Sequence, residues 1–387
     1  MNVTQREWTR PIAVIWTALF LVSIVVPLTG VFFNRDAKST TENRTLSPMP
    51  RLIWTAEGLS QFPSGFEKFL DDRFALRQKL IEWHNRFYID VFKASPFPAV
   101  VLGRNGWLFY NSAKRVPAED SLADYAGQPL LSDKQLEAWR KSLAEIDAYL
   151  RERNTPFFVV VAPNKEAVYR EEMPGTLNGK GESPTIDQFK SYIERHTDIE
   201  VLDLRAALFR QKASGPVYHR TDTHWNAVGA FAGYEVIAAK LKELGILART
   251  QTWDDYEIRT VEGTAGWDLS RMLNLPKYLV ETTYPFMVPR EPYRAKLTYA
   301  PTDPPIYVIS TGGSPDAPKA LVLRDSFSNA LIPFMSEDFR SVTYIWDRRL
   351  PVDVFQREKP GVVIAIIVER CLRIPPETGI VKLADFL

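Results

Sequence analysis

The sequence predicts an α/β fold, a parallel sheet flanked by helices, carried behind an N-terminal transmembrane anchor. Three observations predict it. Residues 11–33 are apolar and uncharged. Residues 156–163, Pro-Phe-Phe-Val-Val-Val-Ala-Pro, are a short continuous apolar run bounded by prolines, which marks a strand buried on both faces. Helical and strand-like segments then alternate, as in sheets whose parallel strands are joined by helical crossovers.

The anchor comes first. At about 1.5 Å per residue, residues 11–33 reach across a hydrocarbon core of about 30 Å. Arg6 and Arg10 precede the run, so the positive-inside tendency keeps residues 1–10 in the cytoplasm and exports the rest. A cleaved signal peptide is the competing reading. It would have a shorter apolar region ending in an A-x-A-like site, and no good site of that kind follows Thr29. The favoured reading is an uncleaved signal anchor: a single-pass membrane protein whose body lies outside the cytoplasm, which in a bacterium means an inner-membrane protein facing the periplasm. The one cysteine, Cys371, agrees with export without proving it.

Beyond the anchor, residues 34–95 read as a spacer followed by an amphipathic helical segment. The spacer, 34–63, is rich in Asn, Arg, Thr, Ser and Pro, whereas 66–92 carries apolar residues at helical spacing. Residues 96–387 read as one domain. Residues 99–103 and 107–110 predict two short strands, turned by Asn105-Gly106. Ser132 and Gln135 form a capping box that opens a helix running to about Arg153, and strand 156–163 follows. Residues 184–196 predict a helix, 199–204 a strand, and 226–244 a strong helix. The pattern lapses over 250–305, an irregular or β-rich excursion. Strands resume at 306–309, 320–323, 341–346 and 361–368.

Composition excludes several classes. A net charge of +1 gives no electrostatic case for nucleic acid. A single cysteine excludes an intramolecular disulfide framework and a four-cysteine zinc site.

Two short stretches carry the chemistry. In Thr221-Asp222-Thr223-His224-Trp225-Asn226 a carboxylate precedes an imidazole by two residues, and a carboxylate can orient such a ring and stabilise its charged form. About a hundred residues later an apolar strand ends in Arg324-Asp325-Ser326. Ligands of open parallel sheets sit at the carboxyl ends of strands, so a serine there faces a cleft, with a helix expected after it. Serine is a poor nucleophile without a base, and His224 can be that base. The alternatives are structural: Ser326 as a helix N-cap, and the Asp-His stretch as a polar turn capping the next helix. A metal site of His219, Asp222 and His224 matches no familiar ligand spacing.

Six motifs, in order, resemble those of the alginate O-acetyltransferases of the AlgJ and AlgX type. They are Glu42-Asn43-Arg44; Gly103-Arg104-Asn105-Gly106-Trp107-Leu108-Phe109; Pro163-Asn164-Lys165 with Tyr169; Asp222-Thr223-His224-Trp225-Asn226; Asp325-Ser326-Phe327; and Glu369-Arg370. The resemblance spans nearly all of the exported part. It implies an SGNH-hydrolase-like, flavodoxin-like fold in permuted order, with Asp222 and His224 ahead of Ser326. Arg324 stands where ordinary SGNH enzymes have a glycine. Asn164, Lys165, Tyr169 and Arg324 become candidates for substrate or oxyanion contacts.

The implied chemistry is acetyl transfer through an acetyl-serine on Ser326, with His224 as base and Asp222 as its orienter, and with no metal or cofactor. The acceptor is an exported polysaccharide. The implied partners are a membrane-bound, acetyl-donating acyltransferase and other polymer-export proteins. Two other classes fit the same residues: a polysaccharide acetylesterase using the same triad, and a polysaccharide-binding component with no activity.

Overall fold

The computed structural model describes residues 12–23, 25–26, 29, 38–39, 44–74, 76–177, 184–302 and 306–382. The chain divides into two compact units, Met1–Pro96 with Arg271–Pro276, and Phe97–Ser270 with Lys277–Leu387.

In the first unit, helix α1 (Ala56–Arg73) starts inside the expected spacer and carries Pro63 within it. Its start is set by Thr55, whose hydroxyl accepts the Gly58 amide hydrogen and so satisfies an open helix donor. Helix α2 (Arg77–Phe87) follows. The Asn85 side-chain amide donates to the Leu273 carbonyl at 2.7 Å, joining the two stretches of this unit. Residues 12–23 are helical, but the expected span 11–33 lies partly outside the described residues. Among the described residues, no helix is long and apolar enough to cross a membrane.

The second unit opens with an antiparallel hairpin, β1 (Val100–Leu102) and β2 (Leu108–Tyr110). Asn105 and Gly106 both take positive φ, 51° and 78°, which a two-residue turn of this hand demands. Helix α3 (Asp133–Arg151) begins at the expected capping box, with Ser132 and Gln135 each satisfying the other's backbone amide. It leads into β3 (Phe157–Ala162). Helix α4 (Lys165–Val168) is a single turn after β3. Helix α5 (Pro184–His196), β4 (Val201–Asp203) and helix α6 (Arg205–Lys212) come next. Helix α7 (Ala227–Glu243) is capped by Asn226, whose side chain accepts from the Gly229 amide.

The excursion contains a hairpin, β5 (Tyr256–Glu262) with β6 (Thr283–Pro289), and the short helix α8 (Asp268–Met272) between its strands. The sheet then continues through β7 (Lys296–Tyr299), β8 (Tyr307–Thr311), β9 (Lys319–Arg324), β10 (Ser341–Ile345) and β11 (Val362–Val368). The spatial order is β4-β3-β11-β9-β10-β8-β7.

Five strands, β4 to β10 in that order, run parallel, as expected. The last two, β8 and β7, are antiparallel, so the sheet is mixed. All four residues of β7 are exposed, so it lacks the apolar pattern that would betray it. β11 is buried along its whole length because strands cover both its edges and helices its faces. The carboxyl ends of β3, β11 and β9 lie side by side, and they deliver Asn164-Lys165, Glu369-Arg370 and Asp325-Ser326 to one end of the sheet.

Candidate active site

Asp222 and His224 meet because the chain between them folds into a tight turn. Asp222 Oδ1 accepts the His224 backbone amide at 2.9 Å and the ring Nδ1–H at 2.6 Å. A side-chain oxygen that bonds the backbone two residues on is a standard device of Asp for bending a chain. On the ring's other side, Nε2 lies 2.8 Å from Ser326 Oγ. With its hydrogen on Nδ1 directed at Asp222, the neutral imidazole presents a free lone pair to the serine hydroxyl. The three residues make a continuous carboxylate–imidazole–hydroxyl chain.

The next residues fix that geometry. Trp225 donates its indole N–H to the Phe327 carbonyl at 2.9 Å, so the residue after the histidine grips the residue after the serine. Asn226 caps α7 and also donates to the Pro216 carbonyl. Gly229 packs so closely on Val217 that a Cβ there would stand 2.1 Å from its carbonyl oxygen. On the serine side, the Asp325 carboxylate accepts from the amides of Phe327 (2.9 Å) and Val368 (2.6 Å), tying the end of β9 to β11. Ser326 opens a five-residue 3₁₀ turn, Ser326–Ala330, ahead of helix α9 (Ile332–Asp338). The helix therefore starts later than expected.

A second carboxylate stands close by. Asp268 Oδ2 is 3.9 Å from His224 Nδ1 and accepts the Thr223 hydroxyl at 2.7 Å, while Oδ1 accepts the Thr223 amide. Burial works against the charge of Asp222, but the hydrogen bond and charge of His224 outweigh it and hold its carboxyl well below the usual range. Asp268 goes the other way: burial, and then repulsion from Asp222, push its carboxyl up to about 6. Asp222, His224 and Asp268 each have one ligand atom within 4.8 Å of the others. His219, the third member of the metal set weighed from sequence, instead bonds Glu281 at 3.2 Å. Nothing in the sequence pointed to Asp268 or Glu281, which lie in the aperiodic excursion.

Asn164, Lys165 and Tyr169 are placed otherwise than expected. All three are buried, and none lines the cavity at Ser326. The Asn164 side-chain amide donates to Asp124 at 3.1 Å. The Lys165 ammonium donates to three backbone carbonyls, and burial lowers its pKa to about 8. The Tyr169 hydroxyl accepts from the Val217 amide at 2.9 Å, and its ring stacks on Trp107. These are framework contacts: Lys165 and Tyr169 bond backbone groups of the loop that carries His224, whereas Asn164 bonds Asp124 and accepts from the Arg370 amide.

Arg324 does reach the cavity. This space of about 600 Å³ is lined by Ser326, Arg324, Trp346, Arg348 and Arg370, among others. Arg324 stacks over Trp346 at 4.6 Å and bonds the Asn329 side chain at 2.8 Å. Arg370, singled out in a motif without a role, stands 5.3 Å from the Phe327 ring, with its Nε 3.3 Å from Glu119. The Phe327 ring is also 5.1 Å from the His224 ring. A larger cavity, about 820 Å³, lies by Tyr256, Tyr293 and Arg294 and contains none of the predicted residues. Ser326, the serine of the relay, lines the smaller one.

Residues 100–305, more than half of the chain, match the model of the family described as the SGNH hydrolase-like domain of the acetyltransferase AlgX. The match includes Asp222, His224 and Asp268 and ends before Ser326. The probable alginate O-acetylase AlgJ of Azotobacter vinelandii is 25% identical over 347 residues, covering 83% of this chain and 84% of that protein. The corresponding protein of Pseudomonas aeruginosa is 28% identical over 156 residues, 39% of this chain and 35% of its own. Among solved structures, Bacillus cereus PatB1 superposes with a TM-score of 0.53 at 16% identity, covering 69% of this chain and 95% of that one. That likeness is one of fold.

Proposed function

This chain belongs to the family of SGNH hydrolase-like acetyltransferase domains typified by AlgX, and from that premise we propose that it transfers acetyl groups to hydroxyls of an exported polysaccharide. The observation that carries the reading is the unbroken relay from Asp222 through His224 to Ser326, at 2.6 and 2.8 Å.

The relay suits acyl transfer in two steps. His224 Nε2 takes the hydroxyl proton as Ser326 Oγ attacks the acetyl carbonyl carbon. Asp222 stabilises the imidazolium that forms. Arg370, a lining residue of the same cavity, is the proposed partner of the tetrahedral oxyanion. Collapse expels the donor's leaving group, which takes the proton from His224, and leaves acetyl-Ser326. A sugar hydroxyl then gives its proton to His224 and attacks the acetyl-serine. Collapse releases the acetylated sugar, and His224 returns the proton to Ser326. The cavity at Ser326, with Trp346 on its wall, is where the acceptor would lie.

The periplasmic face of the inner membrane is the proposed location. The uncharged run 11–33 behind Arg6 and Arg10, and the exposed side chains of Val14, Ile15, Trp16 and Phe20, support a membrane anchor. Acetyl groups would reach Ser326 from a membrane-bound acyltransferase working with the polymer-export proteins.

The test is intact-protein mass spectrometry after incubation with an activated acetyl ester. The wild type is expected to gain one acetyl group on Ser326, and Ser326→Ala and His224→Ala none. An added oligosaccharide should discharge the adduct into acetylated sugar. Release as free acetate regardless of added sugar would mark a hydrolase instead. No adduct with any donor, with sugar binding intact, would leave a binding protein.

A further inference from the structure

We propose that Lys165 is a positioning residue for the Asp222–His224 pair: its ammonium group, seated on three backbone carbonyls, holds the bend that lets a carboxylate and an imidazole two residues apart meet. This rests on the reading of Asp222, His224 and Ser326 as a proton relay.

A lysine ammonium has three hydrogens to donate. Here all three have acceptors: the carbonyls of Leu108 at 2.6 Å, Arg220 at 2.8 Å and Asp222 at 2.9 Å. Two of these flank Thr221 inside the turn, and one belongs to Asp222 itself. Fixing the carbonyls on either side of Thr221 fixes the path of the chain into the carboxylate. The third acceptor lies on β2, whose Leu108 amide also donates to the Arg220 carbonyl at 2.9 Å. The hairpin and the turn are thus joined at one charged point.

The surroundings are those of a staple. Lys165 is 2% exposed, and its ammonium stands 4.9 Å from the Trp107 ring and 5.2 Å from the Phe109 ring. No carboxylate makes an ion pair with it among the described residues. A buried ammonium seated on carbonyls and ring faces, without a carboxylate in direct contact, carries a heavy desolvation penalty, and a neutral side chain would fill the space without it. What the charge adds is a donor to each carbonyl at once, together with a positive field beside the Asp222 carboxylate. Tyr169, one turn further on, holds the other end of the same loop through the Val217 amide.

The experiment compares wild type with Lys165→Met, which keeps the stem and removes the donors. Two quantities are read: the rate and KM of Ser326 acetylation by an activated acetyl ester, and the far-downfield proton resonance of His224 Nδ1–H bonded to Asp222. The expected result is a cooperatively folded variant whose rate falls on the order of 10²-fold with KM within about twofold, as a small displacement of a reacting group gives. The resonance should broaden or disappear. A folded variant with wild-type rate and resonance would overturn the proposal. A lost rate beside an unchanged resonance would overturn it too, since Lys165 would then act elsewhere than on the pair. If Lys165→Met does not fold, Lys165→Arg, which retains the charge but displaces the donors, must show the same split, and unchanged values there overturn it. If the wild type forms no acetyl adduct, the enzymatic reading fails and the resonance alone still decides the role of Lys165.

Discussion

Two carboxylates face one imidazole nitrogen, and distance separates their roles. Asp222 Oδ1 is 2.6 Å from His224 Nδ1, whereas Asp268 Oδ2 is 3.9 Å away and already accepts the Thr223 hydroxyl. A single N–H serves one strong acceptor, so Asp222 sets the tautomer and holds the ring. Asp268 supports it at one remove, by fixing Thr223. Asp222→Asn should therefore lower kcat on the order of 10⁴-fold, as loss of the orienting carboxylate does in serine enzymes of known mechanism. Asp268→Asn should lower it no more than about tenfold, because the first carboxylate remains. Steady-state rates with an activated acetyl ester check both. Equal losses in the two variants would mean that the carboxylates share the orienting role.

At the scale of elements, the site is a junction between the start of α7 and the end of β9, and Trp225 closes it. Its indole is 2% exposed, and its N–H has the Phe327 carbonyl as partner. Trp225→Phe keeps most of the ring volume and strands that carbonyl in the core. It should cost about 1–3 kcal/mol in denaturant unfolding, and kcat should fall roughly tenfold as the histidine and serine lose register. A variant as stable and active as wild type would show that the other contacts suffice. The sequence made some of this junction readable and hid the rest. β3, β9 and β11 announce themselves because strands buried on both faces must be apolar throughout. Asp222, His224 and Ser326 stood out by residue type and motif order. Their contact did not, because a pairing across about a hundred residues is created by the crossover and leaves no local pattern. Lys165 and Tyr169 misled for a related reason. A polar residue after a strand looks the same in sequence whether it meets a ligand or, as these two do, a loop carbonyl or amide. Lys296–Tyr299 was missed because its side chains all face outward.

For the molecule as a whole, gathering three strand ends into one site also gathers buried charge beneath it. Glu369, just past the end of β11, is fully buried; its Oε2 accepts the Asn164 amide at 2.9 Å, while Oε1 meets no hydrogen-bond partner among the described residues. Burial, and then the charge of Asp124, push its carboxyl up to about 8. In the unfolded chain it would titrate near the ordinary value of about 4.3. Between those values the folded state binds a proton that the unfolded state has released, so stability falls as pH rises through the window. The contribution of Glu369 is complete below the unfolded pKa and is lost as pH climbs through the folded one. Glu369→Gln holds the same volume, can still accept from Asn164, and has nothing to titrate. Calorimetric melting from about pH 5 to about pH 8 should show the wild type losing several degrees that the variant keeps. If the two curves run parallel across that range, Glu369 is ionised in the folded protein, and its unpaired oxygen must then be met by a cation or by water admitted beneath the site.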